Sequence, residues 1–133
     1  MLYLLDTDTC SYVIRGASAA LDRRLAMATP ESLAISAITR AELMYGLEKR
    51  GKPRALSRLV HGFLDTIAVR PWDTPAADQF AQLRAALERE GTPIGVMDTM
   101  IAGHALALDA TLVTNSQRHF QKVAVLKMEI WTG

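Results

Sequence analysis

Five oxygen-bearing side chains stand at places where an α/β chain gathers ligands. Asp6 directly follows the apolar run Leu2–Leu5, and Glu42 lies a few residues past a second run, Leu33–Ala37. Asp98 sits where the turn Thr92-Pro93-Ile94-Gly95 feeds an apolar stretch containing Ile101. Thr114 and Asn115 end a further run, Thr111–Thr114. Acids brought to one place repel, and clustering is tolerated when a cation neutralises them. Arg40 is the only base nearby in sequence, so a divalent ion is the economical counter-charge. An all-oxygen donor set favours Mg²⁺, with Mn²⁺ able to substitute, over zinc, which prefers His and Cys. Carboxylate-held Mg²⁺ keeps water and recruits substrate phosphates, which points to phosphoryl transfer or phosphodiester hydrolysis.

Each acid also has a purely structural reading. Asp6 suits the N-cap of a short helix around Cys10–Ile14. Thr39-Arg40-Ala41-Glu42 matches a capping box, with Glu42 reaching back to the cap. Asp98 suits the positive end of its helix dipole. The coincidence of all three at one end of the fold is what favours a site. The histidines, His61, His104 and His119, lack ligand spacing; His104 reads as a packed residue, and His119 lies near the rim. Cys10 reads as a small buried hydrophobe, and Trp72 and Trp131 as covers for the sheet ends.

The elements that must position these groups alternate. Leu2–Leu5, Leu33–Ala37, Ile67–Val69, Thr111–Thr114 and, more weakly, Val125–Trp131 read as buried strands, being continuous apolar runs. Between them, Ala76, Phe80, Leu83 and Leu87 share one helical face after Pro75, with Gly91 placed to end the helix. Leu56, Leu59, Val60, Phe63 and Leu64 form a similar stripe after Pro53. Thr39–Lys49 makes another helix, and Ile101, Ala105 and Leu108 mark one more, leading into the Thr111 run. The expected fold is α/β: a short, mainly parallel sheet of four to five strands with helices on both faces. In such a sheet ligands sit beyond the carboxyl ends of the strands, where these acids fall.

At 133 residues, 50% of them hydrophobic, the chain reads as one domain over 1–133 and not as a disordered or collagen-like polymer. No run approaches a membrane span, the N-terminus lacks the form of a secretory signal, and the single cysteine permits no internal disulfide, so a cytoplasmic setting is expected. A net charge of +1 excludes bulk attraction to polyanions. One local basic segment, Lys49, Arg50, Lys52, Arg54 and Arg58, is the candidate for contact with a polyanion, although a solvated helix entry explains it equally.

Taken in order, Leu4-Leu5-Asp6-Thr7, Ser36 through Gly46, Pro93-Ile94-Gly95, Asp98 through Ala105, Leu112-Val113-Thr114-Asn115 and Phe120 with Val123 resemble the PIN-domain nucleases. The likeness is to the VapC-type toxins of bacterial toxin–antitoxin pairs and covers nearly the whole chain. It implies a PIN fold and a metal-dependent endoribonuclease, with Asp6 and Asp98 as direct metal ligands and Glu42 as a third acid, bound through water or orienting the attacking water. Asn115 or Ser116 would occupy the fourth position, where relatives often carry an acid, and Asp8 stands where relatives frequently have Asn. The resemblance further implies a VapB-like antitoxin whose tail covers the acidic groove, homodimers or toxin–antitoxin hetero-oligomers, and a tRNA substrate, with the initiator tRNA anticodon loop as the expected target.

Two rivals compete. Asp6-Thr7-Asp8-Thr9 has the DxDxT form of a HAD-like phosphatase, but that chemistry needs a distal acid pair, and after Asn115 the only acid is Glu129. A receiver-like phospho-acceptor, or a catalytically silent PIN module, is the non-enzyme alternative; the first expects Lys-Pro where Lys127-Met128 stands, and the second would have lost an acid.

Overall fold

Apolar residues in consecutive positions can be buried only if both faces of a strand are covered, and here they are. In a computed structural model describing residues 1–133, five strands form one parallel sheet: β1 (Tyr3–Leu5), β2 (Leu33–Ser36), β3 (Ala68–Arg70), β4 (Thr111–Val113) and β5 (Met128–Glu129). Their order across the sheet is β3-β2-β1-β4-β5. The chain winds outward from β1 in both directions, so β1 and β4 flank the point where the winding reverses. Leu4 pairs in register with Leu112, and Leu5 with Val113.

Successive strand residues face opposite sides. Leu4, Ala34 and Leu112 therefore join Ile101, Ala102, Ala105 and Phe120 in one core. Leu5, Ile35 and Val113 join Cys10, Leu43, Leu47, Val60 and Trp131 in the other. Helices α1 (Thr7–Arg15), α2 (Ala19–Met27), α3 (Ala37–Lys49) and α4 (Arg54–Leu64) supply the second core, and α5 (Thr74–Arg89), α6 (Val96–Ala107) and α7 (Gln117–Phe120) the first.

Helix boundaries departed from the sequence reading in instructive ways. The capping box does not form: α3 begins at Ala37, Ser36 is its N-cap with its hydroxyl accepting from the Ile38 N–H at 3.0 Å, and Thr39 is buried inside the helix. Pro75 is the second residue of α5, behind the N-cap Asp73. Leu59 is 54% exposed, so it leaves the α4 stripe, whose Val60 and Leu64 are buried. Helices α2 and α7 have no counterpart in the sequence reading. Two of the expected buried strands lie at the sheet edges instead: β3 spans Ala68–Arg70 with Ala68 and Arg70 exposed, and of the Val125–Trp131 run only the half-buried Met128–Glu129 is strand. Gly91 ends α5 with a φ of +70°, Cys10 is fully buried, and His104 is a core residue whose Nδ1 lies 2.8 Å from the Ser36 hydroxyl. Trp131 packs edge-on against Tyr3, and Trp72 donates to the Met100 carbonyl.

Candidate metal and phosphodiester site

A helix that returns the chain to the start of a parallel strand runs against the strands. The N-terminus of α6, which precedes β4, therefore lies at the carboxyl edge of the sheet and brings Asp98 there. Asp6 reaches the same edge by following β1, Glu42 from the second turn of α3 beyond β2, and Asn115 by following β4. Four separate stretches of chain thus contribute to one rim.

Asp6 is 97% removed from solvent, its residual exposure being 3%. It is the N-cap of α1, its Oδ1 accepting from the Thr9 N–H at 2.8 Å, and Thr114, just past the end of β4, lies beside it. The structural and functional readings of Asp6 are therefore compatible, since the cap uses one oxygen. Burial raises its pKa above the ordinary carboxylate value; the bonds from Thr114 and Thr9 pull the other way, and the charge on Asp8 pushes it up further.

Glu42 does not reach back to a cap. Its Oε1 accepts from the Thr7 hydroxyl at 2.5 Å, a contact between α3 and α1, with the Thr39 hydroxyl 3.2 Å from the same Thr7 oxygen. Its pKa is raised, first by burial and then by the charge of Asp98, against the lowering bond from Thr7. Asp98, in the first turn of α6, is drawn to His119, with Nδ1 2.9 Å from Oδ2. Burial raises its pKa, His119 opposes this, and Asp8 adds to it.

Asn115 donates weakly to Asp8 at 3.4 Å, while its own Oδ1 is buried without a protein partner. Asp8 is exposed. No lysine or arginine forms an ion pair with Asp6, Glu42 or Asp98, and Arg40 points to solvent with no acid partner.

This chemistry fits a hard divalent cation. The donors are carboxylate oxygens whose ionised forms are penalised by burial and by each other, and a neighbouring amide oxygen lacks a partner. No three His, Cys, Asp or Glu side chains are gathered tightly enough to close on one ion by themselves. That suits an ion held by one or two carboxylates, with water and substrate phosphate completing the shell.

Beside the acids runs a groove of about 350 Å³ between α1, α3 and α4. Leu43, Leu47, Leu56 and Val60 make its floor, and Asp8, Arg15, Glu42 and Arg50 its charged edges. Of the basic segment, only Arg50 lines this groove. Lys52 pairs with Glu48 at 2.9 Å, and Lys49, Arg54 and Arg58 are exposed. Sequence reasoning passed over Thr7, whose hydroxyl orients Glu42, and gave little weight to His119. A threonine following an acid carries no signal by itself, and the His119 contact depends on how α7 folds back.

The PIN domain family model matches residues 3–126. The chain is 39% identical over 129 residues to the tRNA(fMet)-specific endonuclease VapC of Salmonella typhimurium, covering 97% of each. It is 37% identical over 130 residues to the protein of the same name from Shigella flexneri, covering 98% of each. The crystal structure of DNA-bound VapBC from Salmonella typhimurium contains a chain that matches this fold with a TM-score of 0.92 at 39% identity, covering 98% of this chain and 99% of that one. The acid rim at the winding reversal of a five-stranded parallel sheet is thus set in a fold with full-length relatives, and the chain belongs to the VapC family of PIN-domain proteins.

Proposed function

We propose that this protein is the toxin of a toxin–antitoxin pair, a divalent-metal-dependent endoribonuclease that hydrolyses phosphodiesters of tRNA in the cytoplasm, with initiator tRNA as its target. The observation that carries this reading is the carboxylate rim, with Asp6 buried, Glu42 and Asp98 half-buried and no lysine or arginine paired to any of them, found in a chain whose relatives are named as tRNA(fMet)-specific endonucleases. Asp6 and Asp98 would hold the ion, Mg²⁺ or Mn²⁺, and Asn115 offers a neutral oxygen at the fourth position. When bound, such an ion supplies positive charge at the scissile phosphate and acidifies a nearby water.

The chain's own residues do the rest. Glu42, fixed by Thr7, accepts the proton of the attacking water, and its burial-raised basicity suits that task. The Thr9 N–H holds Asp6 in one orientation, and His119 holds Asp98. Attack by water leaves a 5′-phosphate and a 3′-hydroxyl. A VapB-like antitoxin tail would lie in the adjoining groove, its apolar residues on the floor and its charges against Asp8, Glu42, Arg15 and Arg50. Lys49, Arg50, Lys52, Arg54 and Arg58 remain candidates for outlying phosphate contacts.

The test is incubation of antitoxin-free protein with an initiator tRNA transcript and with Mg²⁺, with or without EDTA, followed by mapping of the cut ends. Chelator-sensitive cleavage leaving 5′-phosphates is expected. Cleavage that persists in EDTA, or no cleavage of any tRNA, would overturn the reading.

A further inference from the structure

The segment Ala110–Met128 contains no acidic residue, yet it carries Arg118, His119, Lys122 and Lys127. Lys127 is satisfied by Asp109 at 3.0 Å. Arg118 and Lys122 are exposed and make no ion pair. They are not on a loose tail: Phe120 and Val123, which alternate with them, are buried at 1% and 3% exposure and pin the turn to the core. Buried and basic positions interleave, so the two cations are held on the outward side of an anchored element.

That outward side is a shallow concavity of about 470 Å³, formed by Ser116, Arg118, His119, Gln121 and Lys122, with no apolar side chain. It connects to the carboxylate rim through His119, whose Nδ1 is 2.9 Å from Asp98. The groove on the other flank has an apolar floor and edges of mixed charge, Asp8 and Glu42 with Arg15 and Arg50, which suits an amphipathic peptide better than a phosphate backbone.

We infer that the α7 turn is a docking surface for the RNA backbone next to the cleaved bond, with Arg118 and Lys122 contacting phosphates. This rests on the nuclease reading above and adds to it the side from which RNA approaches Asp98. Such contacts position a strand without reading its bases, and their mark is salt dependence.

The test is the double substitution Arg118→Gln with Lys122→Gln, neither residue being part of the carboxylate machinery. Binding of the initiator tRNA transcript and of an unrelated RNA hairpin is measured across a salt series in the uncut Asp6→Asn background, and steady-state cleavage in the active protein. The expected result is a Kd weakened about tenfold for both RNAs and a salt slope reduced by about 1.4 to 1.8, since each phosphate contact contributes about 0.7 to 0.9. KM should rise with kcat unchanged, and Arg118→Lys with Lys122→Arg should restore both slope and KM. An unchanged slope and KM would overturn the inference while leaving the nuclease reading intact. Unchanged RNA binding with weakened inhibition by antitoxin would assign the surface to a protein partner and equally overturn it. If unsubstituted protein cuts no RNA, the nuclease reading itself fails, and this inference falls with it.

Discussion

A single carboxylate can serve fold and chemistry when its two oxygens are used differently, and Asp6 is such a case. One oxygen caps α1 through Thr9, and burial penalises the charge that remains. Asparagine caps a helix about as well as aspartate, so Asp6→Asn removes the charge and keeps the cap. The variant should lose cleavage by about a hundredfold or more, since a metal supplies several kcal/mol and each tenfold is about 1.4 kcal/mol. It should also fold normally and, without metal, melt at or above the temperature of the unsubstituted protein. The sign follows from the raised pKa: the folded state binds the Asp6 proton more tightly than the unfolded state, whose value is near 3.8. Stability linked to that proton is present below this value and is lost as pH rises through the folded value. The advantage of Asp6→Asn should therefore grow from pH 4 to pH 7 in thermal melts; an advantage that shrinks over that range would contradict the assignment. Thr7→Val, close in shape, should leave the fold intact and lower kcat about fivefold, because Glu42 loses a hydrogen bond from Thr7 that is worth about 1 kcal/mol. Asp6, Glu42 and Asp98 were legible in the sequence because each follows an apolar run or opens an apolar helix. Thr7 and His119 were not, because their partners come from elements far away along the chain.

At the scale of elements, two packing details make firm predictions. Gly103 of α6 lies so close to α5 that an added Cβ would stand 2.9 Å from the Phe80 backbone N and Cα. Backbone cannot yield as a flexible side chain would, so Gly103→Ala should cost about 1–3 kcal/mol in denaturant unfolding. A variant as stable as the parent would mean that the helices sit further apart. His104 joins α6 to the cap of α3 through Ser36, and burial lowers its pKa below 6.5. The unfolded chain binds this proton more readily, so stability falls as pH drops below about 6.5. His104→Gln should remove that component of the acid response, visible as a flatter stability profile between pH 5 and 7. Strands β1, β2 and β4 were readable as apolar runs and the α4, α5 and α6 helices from periodicity, because their apolar side chains meet a core. Helix α2 buries only Leu21, and α7 is four residues long, so neither offers a period to read. The misplaced start of α3 has an equally local cause: Thr39 had the right spacing for a cap, but burial of its side chain inside the helix left the capping to Ser36.

For the whole molecule, the parallel sheet with cores on both faces does one thing that no segment can do alone. Its β3-β2-β1-β4-β5 order sets β1 beside β4 and carries the ends of β1, β2 and β4 and the start of α6 to one edge. Alternating strand–helix patterns made the fold class legible, whereas the distance between acids depended on the strand order. The apolar-floored groove proposed for the antitoxin and the basic α7 surface flank that edge on different elements, which would let inhibition and RNA docking be separated by mutation. The central claim is that Asp6 and Asp98, brought together only by folding, share one divalent ion. Calorimetric titration of the metal-free protein with Mn²⁺ tests it most directly, alongside Asp6→Asn and Asp98→Asn variants shown by circular dichroism to be folded. The account predicts a Mn²⁺ site in the parent that is lost or weakened at least tenfold in each variant. Equal Mn²⁺ affinity in all three proteins, or no binding by the parent, would contradict it.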